Sequence, residues 1–457
     1  MIGIKQLTDT ELKSFVWGVS SSAYQTEGAF NSDGKGLSIW DEFVNNKSKK
    51  IRNRENANVA CDFYNLYNGD LQIMKDLNIS NFRTSIGWSR ILPEGTGVVN
   101  YKGIDFYNRL IDKSLEMGIT PWLTLYHWDL PLALEKKGGW TNRDVLSWFE
   151  EYTALCANAF GDRVKNWMVL NEPMVFVGAG YFLGVHAPGR MGMGNFLPAI
   201  HHATLAMGVG GKTLKSINAD FNVGTTFSCS YVEPYSFDKR DQQAAQRVDA
   251  LLNRLFIEPT LGLGYPVDVL KPLRKIEKYF KPNDENNLKF DFDFIGLQNY
   301  TREIVKHSFF TPYLQAKLVV PQKRNVEYTL MNWEVFPDSI YHIIKKFDKY
   351  EQIKAIYITE NGAAFDDLVH GAEEVNDEKR LGYLKDHITA VMRAKQEGAN
   401  VKGYFVWTFT DNFEWAEGYK PRFGLVHVDF DSQKRIVKKS GYWYAELINS
   451  FMQQSVF

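Results

Sequence analysis

Asn166-Trp167-Met168-Val169-Leu170-Asn171-Glu172-Pro173 is a short apolar run that breaks off into an amide, a carboxylate and a proline. The same pattern returns at 355–359, where an apolar run is followed by Glu360-Asn361-Gly362. Six further runs read as strands, at 15–20, 81–86, 121–126, 222–227, 294–298 and 403–407. Longer helical patterns alternate with them from end to end, as expected of βα units around a parallel sheet. Eight such strands suit a closed (β/α)8 barrel of the α/β class. Residues 1–457 are therefore read as one barrel domain with extended βα loops at its mouth.

Two helices are legible between the strands. Thr141 with Asp144 resembles an N-terminal cap ahead of Val145, Trp148, Tyr152, Leu155 and Ala159, with Gly161 as the stop. Another helix starts near Lys102, turns Ile104, Tyr107, Ile111 and Leu115 inward, and ends at Gly118. The polar stretches 281–287 and 371–379 read as solvated loops. Residues 305–330 form a connection long enough to overhang an active-site mouth.

Composition narrows the function. With 53 basic and 54 acidic residues, the net charge of -1 leaves no footprint for nucleic acid or an anionic membrane. No stretch approaches the roughly 20 apolar residues of a bilayer span, and residues 1–15 lack the pattern of a secretory leader. Cys61, Cys156 and Cys229 are odd in number and widely spaced, which indicates neither a disulfide framework nor a zinc site. Reduced, buried thiols in a cytoplasmic protein are the expectation, with no cofactor and no metal. Aromatic residues make up 14%, including 12 Trp. Most must be core, but some are candidates to stack on the apolar faces of a sugar ring.

In a βα barrel, chemistry gathers where strands run out at their C-terminal ends. Polar and aromatic residues recur at these exits. Strand 3 runs into His127-Trp128-Asp129, strand 6 into Gln298-Asn299-Tyr300, and strand 8 ends at Trp407. Glu172 and Glu360 follow strands 4 and 7, across the mouth from each other. Two facing carboxylates are what glycosidic cleavage needs, one as proton donor and one to stabilise or attack the anomeric carbon. Either glutamate alone would read as a cap or a surface ion pair. Arg83 and Tyr300 are placed to donate to a carboxylate and keep it ionised; Arg83 is equally suited to a structural ion pair. A second negative charge and partial burial would keep Glu172 protonated.

With these residues in place, the whole chain resembles the glycoside hydrolases of family 1, the β-glucosidase family. Phe15-Val16-Trp17-Gly18 through Ser22-Ala23-Tyr24-Gln25-Thr26-Glu27-Gly28 is similar to its amino-terminal signature. Tyr126-His127-Trp128-Asp129-Leu130-Pro131 and Asn171-Glu172-Pro173 are similar to its strand 3 and strand 4 motifs, and Ile358-Thr359-Glu360-Asn361-Gly362 to its nucleophile motif. Asp411-Asn412-Phe413-Glu414-Trp415-Ala416-Glu417-Gly418-Tyr419 is similar to its sugar-recognition loop. The resemblance implies hydrolysis with retention of configuration. Glu360 would form a covalent glycosyl-enzyme, and Glu172 would act as acid and then base, with the two carboxyls about 5–5.5 Å apart. It implies that Gln25, His127, Trp128, Asn171, Glu414 and Trp415 hold the sugar, with Asn171 on the 2-hydroxyl. Trp407 would be the stacking platform, Trp333 would lie on the leaving-group side, and Phe423 would be a pocket wall.

Two departures stand out. Gln298 replaces the family's usual Asn, and Asn332 stands in Met331-Asn332-Trp333 where Gly is commoner. Glu414 and Glu417 would repel a sugar phosphate, which favours a neutral β-glucoside, or a galactoside or fucoside, over a 6-phosphoglycoside. Keeping both glutamates argues against a thioglucosidase and against a catalytically silent sugar-binding relative. The expected partners are small β-glucosides or short oligosaccharides; the oligomeric state is not legible.

Overall fold

The computed structural model describes residues 14–370 and 374–453. All eight expected strands form: β1 (Val16–Ser20), β2 (Asn81–Ser85), β3 (Thr120–Tyr126), β4 (Asn166–Asn171), β5 (Asn222–Ser228), β6 (Phe294–Gln298), β7 (Ile356–Asn361) and β8 (Val401–Trp407). They pair in parallel in the order β1-β8-β7-β6-β5-β4-β3-β2 and close into a barrel. Its strands are buried on both faces, and such strands read as near-continuous apolar runs. Trp122 of β3 meets Phe294 of β6 at 5.8 Å and Phe405 of β8 at 5.3 Å. Side chains from strands that are not neighbours touch only through the interior, so the barrel is plugged beneath its mouth.

Several local expectations need correction. In the helix Val145–Phe160 the buried face is Val145, Phe149, Tyr152, Cys156 and Phe160, while Trp148, Leu155 and Ala159 are only half-buried. The stripe is rotated by about one position. Neither Thr141 nor Asp144 caps it: the Thr141 hydroxyl donates to Gly138 O at 2.7 Å, and Asn142 Oδ1 accepts the Asp144 N–H at 2.9 Å. In the helix Tyr101–Glu116, Leu115 is exposed and Leu110 takes the inward place.

The stretch 281–287 is solvated as expected except at Asp284, but its second half is not a loop. It enters the helix Asp284–Leu288, and Asp284 is buried against Arg143 and His201. Of 371–379, residues 371–373 lie outside the described residues; Glu374–Asn376 is a strand and Asp377 is buried. The long connection 305–330 is mostly irregular but carries short regular pieces: the end of one strand, the strand Ala316–Leu318 and the 3-10 turn Pro321–Lys323. Strand Arg302–His307 runs parallel to Tyr231–Pro234 and antiparallel to Ala316–Leu318, so only its far end, near Leu330 and Met331, reaches the mouth. Cys61, Cys156 and Cys229 are free and buried, as expected. Among the described residues no helix is long and apolar enough to cross a membrane.

Candidate active site

Register irregularities mark both carboxylate-bearing strands. The β4–β5 ladder shifts between Met168 and Asn171, and the β7–β6 ladder between Ile358 and Glu360. Such shifts re-aim side chains at a strand's end. Glu172 follows in the left-handed region at φ 45°, ψ 63°, a conformation that costs a non-glycine residue roughly 1–3 kcal/mol. Its N–H is held by Thr226 O at 3.0 Å, and Pro173 opens the next helix. At β7, Gly362 lets the chain pass against β8, since a Cβ there would sit 1.8 Å from the Trp407 carbonyl oxygen.

Both carboxylates line one cavity of about 280 Å3 at the C-terminal end of the barrel, close to the lower end of small-ligand sites. Of the residues singled out from sequence, His127, Trp128, Glu172, Tyr300, Trp333, Glu360, Trp407, Glu414, Trp415 and Phe423 line it. A larger open groove and a larger apolar cavity lie elsewhere, and neither is lined by a pair of carboxylates.

Gln25, Arg83, Asn171 and Gln298 sit behind this wall, fully buried. Arg83 lies within β2 and not at its end. It donates to Glu360 Oε1 and to Asn171 Oδ1, each at 2.5 Å, so the ion-pair and carboxylate-donor readings describe one contact. Tyr300 donates to the other oxygen of Glu360 at 2.7 Å. Asn171 Oδ1 also accepts from Thr226 at 2.9 Å and from Gln298 at 2.8 Å. That fixes the amide, so its Nδ2 donates to His127 Nε2 at 3.1 Å and the imidazole proton belongs on Nδ1. Gln298, the longer amide, thus props Asn171. Gln25 donates to Glu414 at 3.3 Å, and Trp128 donates to Asn171 O at 2.9 Å.

The second departure is also accommodated. Asn332 has φ 60°, a left-handed conformation that Gly adopts freely and Asn tolerates better than most residues. Around it Thr329 N–H meets Trp333 O, and Asn332 N–H meets Thr329 O, both at 2.9 Å.

Electrostatics separate the two carboxyls. Burial and the nearby charge of Glu360 push Glu172 well above the usual carboxylate range, against a Ser228 hydrogen bond and Arg83. Burial also raises Glu360, opposed by Arg83 and the Tyr300 hydroxyl, so it is not lowered outright as expected. Glu360 is the one with cationic and phenolic donors; it ionises first and Glu172 keeps its proton longer. Glu414 is pushed up to about 8, by burial and then by Glu360. Burial and Arg83 hold His127 neutral.

Sequence reasoning gave no role to Ser228, Val175 or His186, which line the cavity; Met331, Ala416 and Glu417, already present in the quoted motifs, line it too. Ser228 ends β5, whose exit carries none of the quoted motifs. Among the described residues no group of three or more His, Cys, Asp or Glu is arranged to hold a metal ion.

The family model described as Glycosyl hydrolase family 1 matches residues 8–452. Beta-glucosidase A of Thermotoga maritima is 44% identical over 439 residues, covering 96% of this chain and 97% of its own. Beta-glucosidase A of Acetivibrio thermocellus is 42% identical over 445 residues, covering 96% and 98%. Among solved structures, a family 1 β-glucosidase from Thermotoga maritima superposes with a TM-score of 0.93 at 42% identity, covering 98% of this chain and 99% of that one. The Thermotoga maritima β-glucosidase in complex with deoxynojirimycin does so with a TM-score of 0.93 at 43% identity. The chain therefore belongs to glycosyl hydrolase family 1.

Proposed function

We propose that the protein is a retaining β-glucosidase that removes terminal, non-phosphorylated β-D-glucosyl residues by double displacement. One observation carries the reading: two buried carboxyls line a single cleft, and only one of them is held by an arginine and a tyrosine. Glu360, ionised first, attacks the anomeric carbon; Glu172, still protonated, gives its proton to the leaving oxygen. Glu172 then takes a proton from water, which displaces Glu360 and restores the starting configuration. The two carboxyls would lie about 5–5.5 Å apart for this to work.

Glu414 and Trp415, with Gln25 behind them, form the sugar end; His127, braced from behind by Asn171, faces the ring hydroxyls, and Trp407 is the platform beneath. Trp333 flanks the leaving group, and Phe423 is a pocket wall. Aryl glucosides and cellobiose are fitting substrates. A sugar phosphate is disfavoured because no Lys or Arg lines the cleft, while Glu360, the carboxyl that ionises first, does; a phosphate dianion wants cationic donors. Activity on p-nitrophenyl β-glucoside should exceed that on its 6-phosphate by orders of magnitude, with the β-anomer of glucose as first product by NMR. A preference for the phosphate, or an α-anomer released first, would refute the reading.

A further inference from the structure

Behind the helix Pro173–Val177 lies a second cavity, of about 360 Å3, that the sugar chemistry does not use. Met174 lines it while the next residue, Val175, lines the carboxylate cleft. A single turn of helix, beginning at Glu172, is thus the partition between two chambers. Their chemistry is opposite. Apart from Thr311, Lys317 and the Tyr313 hydroxyl, every side chain lining the second cavity is apolar; Phe182, Phe196, Leu251 and Leu273 form much of the wall.

A bound water needs two to four polar partners, and such walls do not offer them. The cavity is nevertheless open, because Leu183, Tyr313 and Leu318 on its rim are about half exposed. Lys317, on that rim, is an exposed residue. An apolar cavity of about 150 Å3 holds one benzene ring, so this one has room for two. Two π-helical turns, Gly178–Leu183 and Ala250–Arg254, each give residues to its wall. Such turns interrupt a regular helix and recur at functional sites.

We propose that this cavity is a binding site for a neutral, apolar molecule of one or two rings, separate from the sugar cleft. Burial of apolar surface drives occupancy, and no ion pair or fixed hydrogen bond selects the ligand. The partition also sets what an occupant touches: it packs on Met174, next in the helix to the residues behind the catalytic carboxyl.

The full-length protein titrated with prodan, a neutral fluorophore built on the two fused rings of naphthalene, tests this. Saturable, blue-shifted fluorescence at one probe per chain is expected, with a dissociation constant on the order of 10 µM. Saturating deoxynojirimycin, its occupancy followed by inhibition of hydrolysis in the same sample, should leave the titration unchanged. Leu251→Trp, which fills the cavity, and Leu314→Gln, which adds a polar group to its wall, should each weaken binding at least tenfold, with folding checked by circular dichroism. Displacement of the probe in step with inhibition would assign it to the sugar cleft and overturn the proposal. So would unsaturable binding, titrations unaltered in both folded variants, or binding restricted to a fatty carboxylate and lost in Lys317→Met.

Discussion

At Tyr300 a phenol hydrogen adds to the larger pull of Arg83 in easing loss of the Glu360 proton. The hydroxyl donates at 2.7 Å and opposes the rise that burial imposes. In Tyr300→Phe that support is gone, so the pKa of Glu360 climbs further. The acid limb of kcat/KM should move to higher pH, and kcat should fall about 10- to 100-fold, the worth of a hydrogen bond to a charged group. The alkaline limb, set by loss of the Glu172 proton as pH rises, should stay where it is; movement of that limb instead would exchange the two roles. Covalent chemistry gives an independent check. Glu360→Ala should be inactive, and azide should restore turnover with an α-glycosyl azide as product, because azide then attacks once from the face that Glu360 vacated. A β-azide would place the nucleophile at Glu172. Glu172→Gln should mainly harm substrates with poor leaving groups, while activated aryl glucosides still release aglycone in a burst.

At the level of elements, the strands were legible and their surroundings less so. β4 and β7 announce themselves because an apolar run stops at a carboxylate. The helix Val145–Phe160 carries apolar residues nearly all round, at Val145, Leu146, Trp148, Phe149, Tyr152, Leu155, Cys156 and Phe160. Two faces compete there, and packing, not pattern, picks one. The outer sheet of Tyr231–Pro234, Arg302–His307 and Ala316–Leu318 escaped notice because its strands are short and partly solvated. Its first pair also joins residues far apart in sequence. The same long-range logic locks the sugar loop. Trp415 has φ 52°, and Gly418 has φ 63°, ψ -140°, a region essentially reserved for glycine. A Cβ on Gly418 would meet Glu55 Oε2 at 1.9 Å, and that oxygen accepts the Tyr419 N–H at 2.7 Å. Arg52 pairs with Glu417 at 2.6 Å beside it. Glu55 does not line the carboxylate cleft, so we read it as a positioning residue for Glu414 and Trp415. Glu55→Ala should raise KM for glucosides about tenfold with kcat nearly unchanged, the pattern of lost uniform binding. Glu55→Gln, which keeps an acceptor, should recover most of the loss. A fall in kcat at constant KM would contradict this placement.

Across the whole molecule the barrel has to close β8 onto β1, and the C-terminal helix Lys439–Gln453 reaches back across that seam. Tyr444 donates to Gly18 O at 2.9 Å, and Phe451 stacks on Trp17 at 5.0 Å. What pins the start of this helix is a buried ionic chain that single-residue reading of the motifs does not expose. Asp411, first residue of the sugar-recognition motif, bonds Lys438 at 2.7 Å and the Gly424 N–H at 2.9 Å, away from the cleft. Lys438 continues to Asp367, Arg380 and Asp377, and Asp377 accepts the Ser440 N–H at 2.8 Å. Burial opposes the charge on Asp411, yet Lys438, His427, Arg422 and Arg380 hold its carboxyl far below the usual range. A depressed carboxyl stabilises the fold above its unfolded pKa and loses that contribution as pH falls toward the folded one. Asp411→Asn leaves a buried lysine short of a partner and should cost about 3–5 kcal/mol. At roughly 1 °C per kcal/mol for a chain of this length, Tm should drop by roughly 3–5 °C near pH 7. The gap between wild type and variant should then narrow as pH is lowered below about 4, where the unfolded aspartate begins to protonate. Thermal scans of both proteins from pH 7 to pH 3 measure it directly. A gap independent of pH would mean that packing, not this ionic clasp, holds the last helix over the seam.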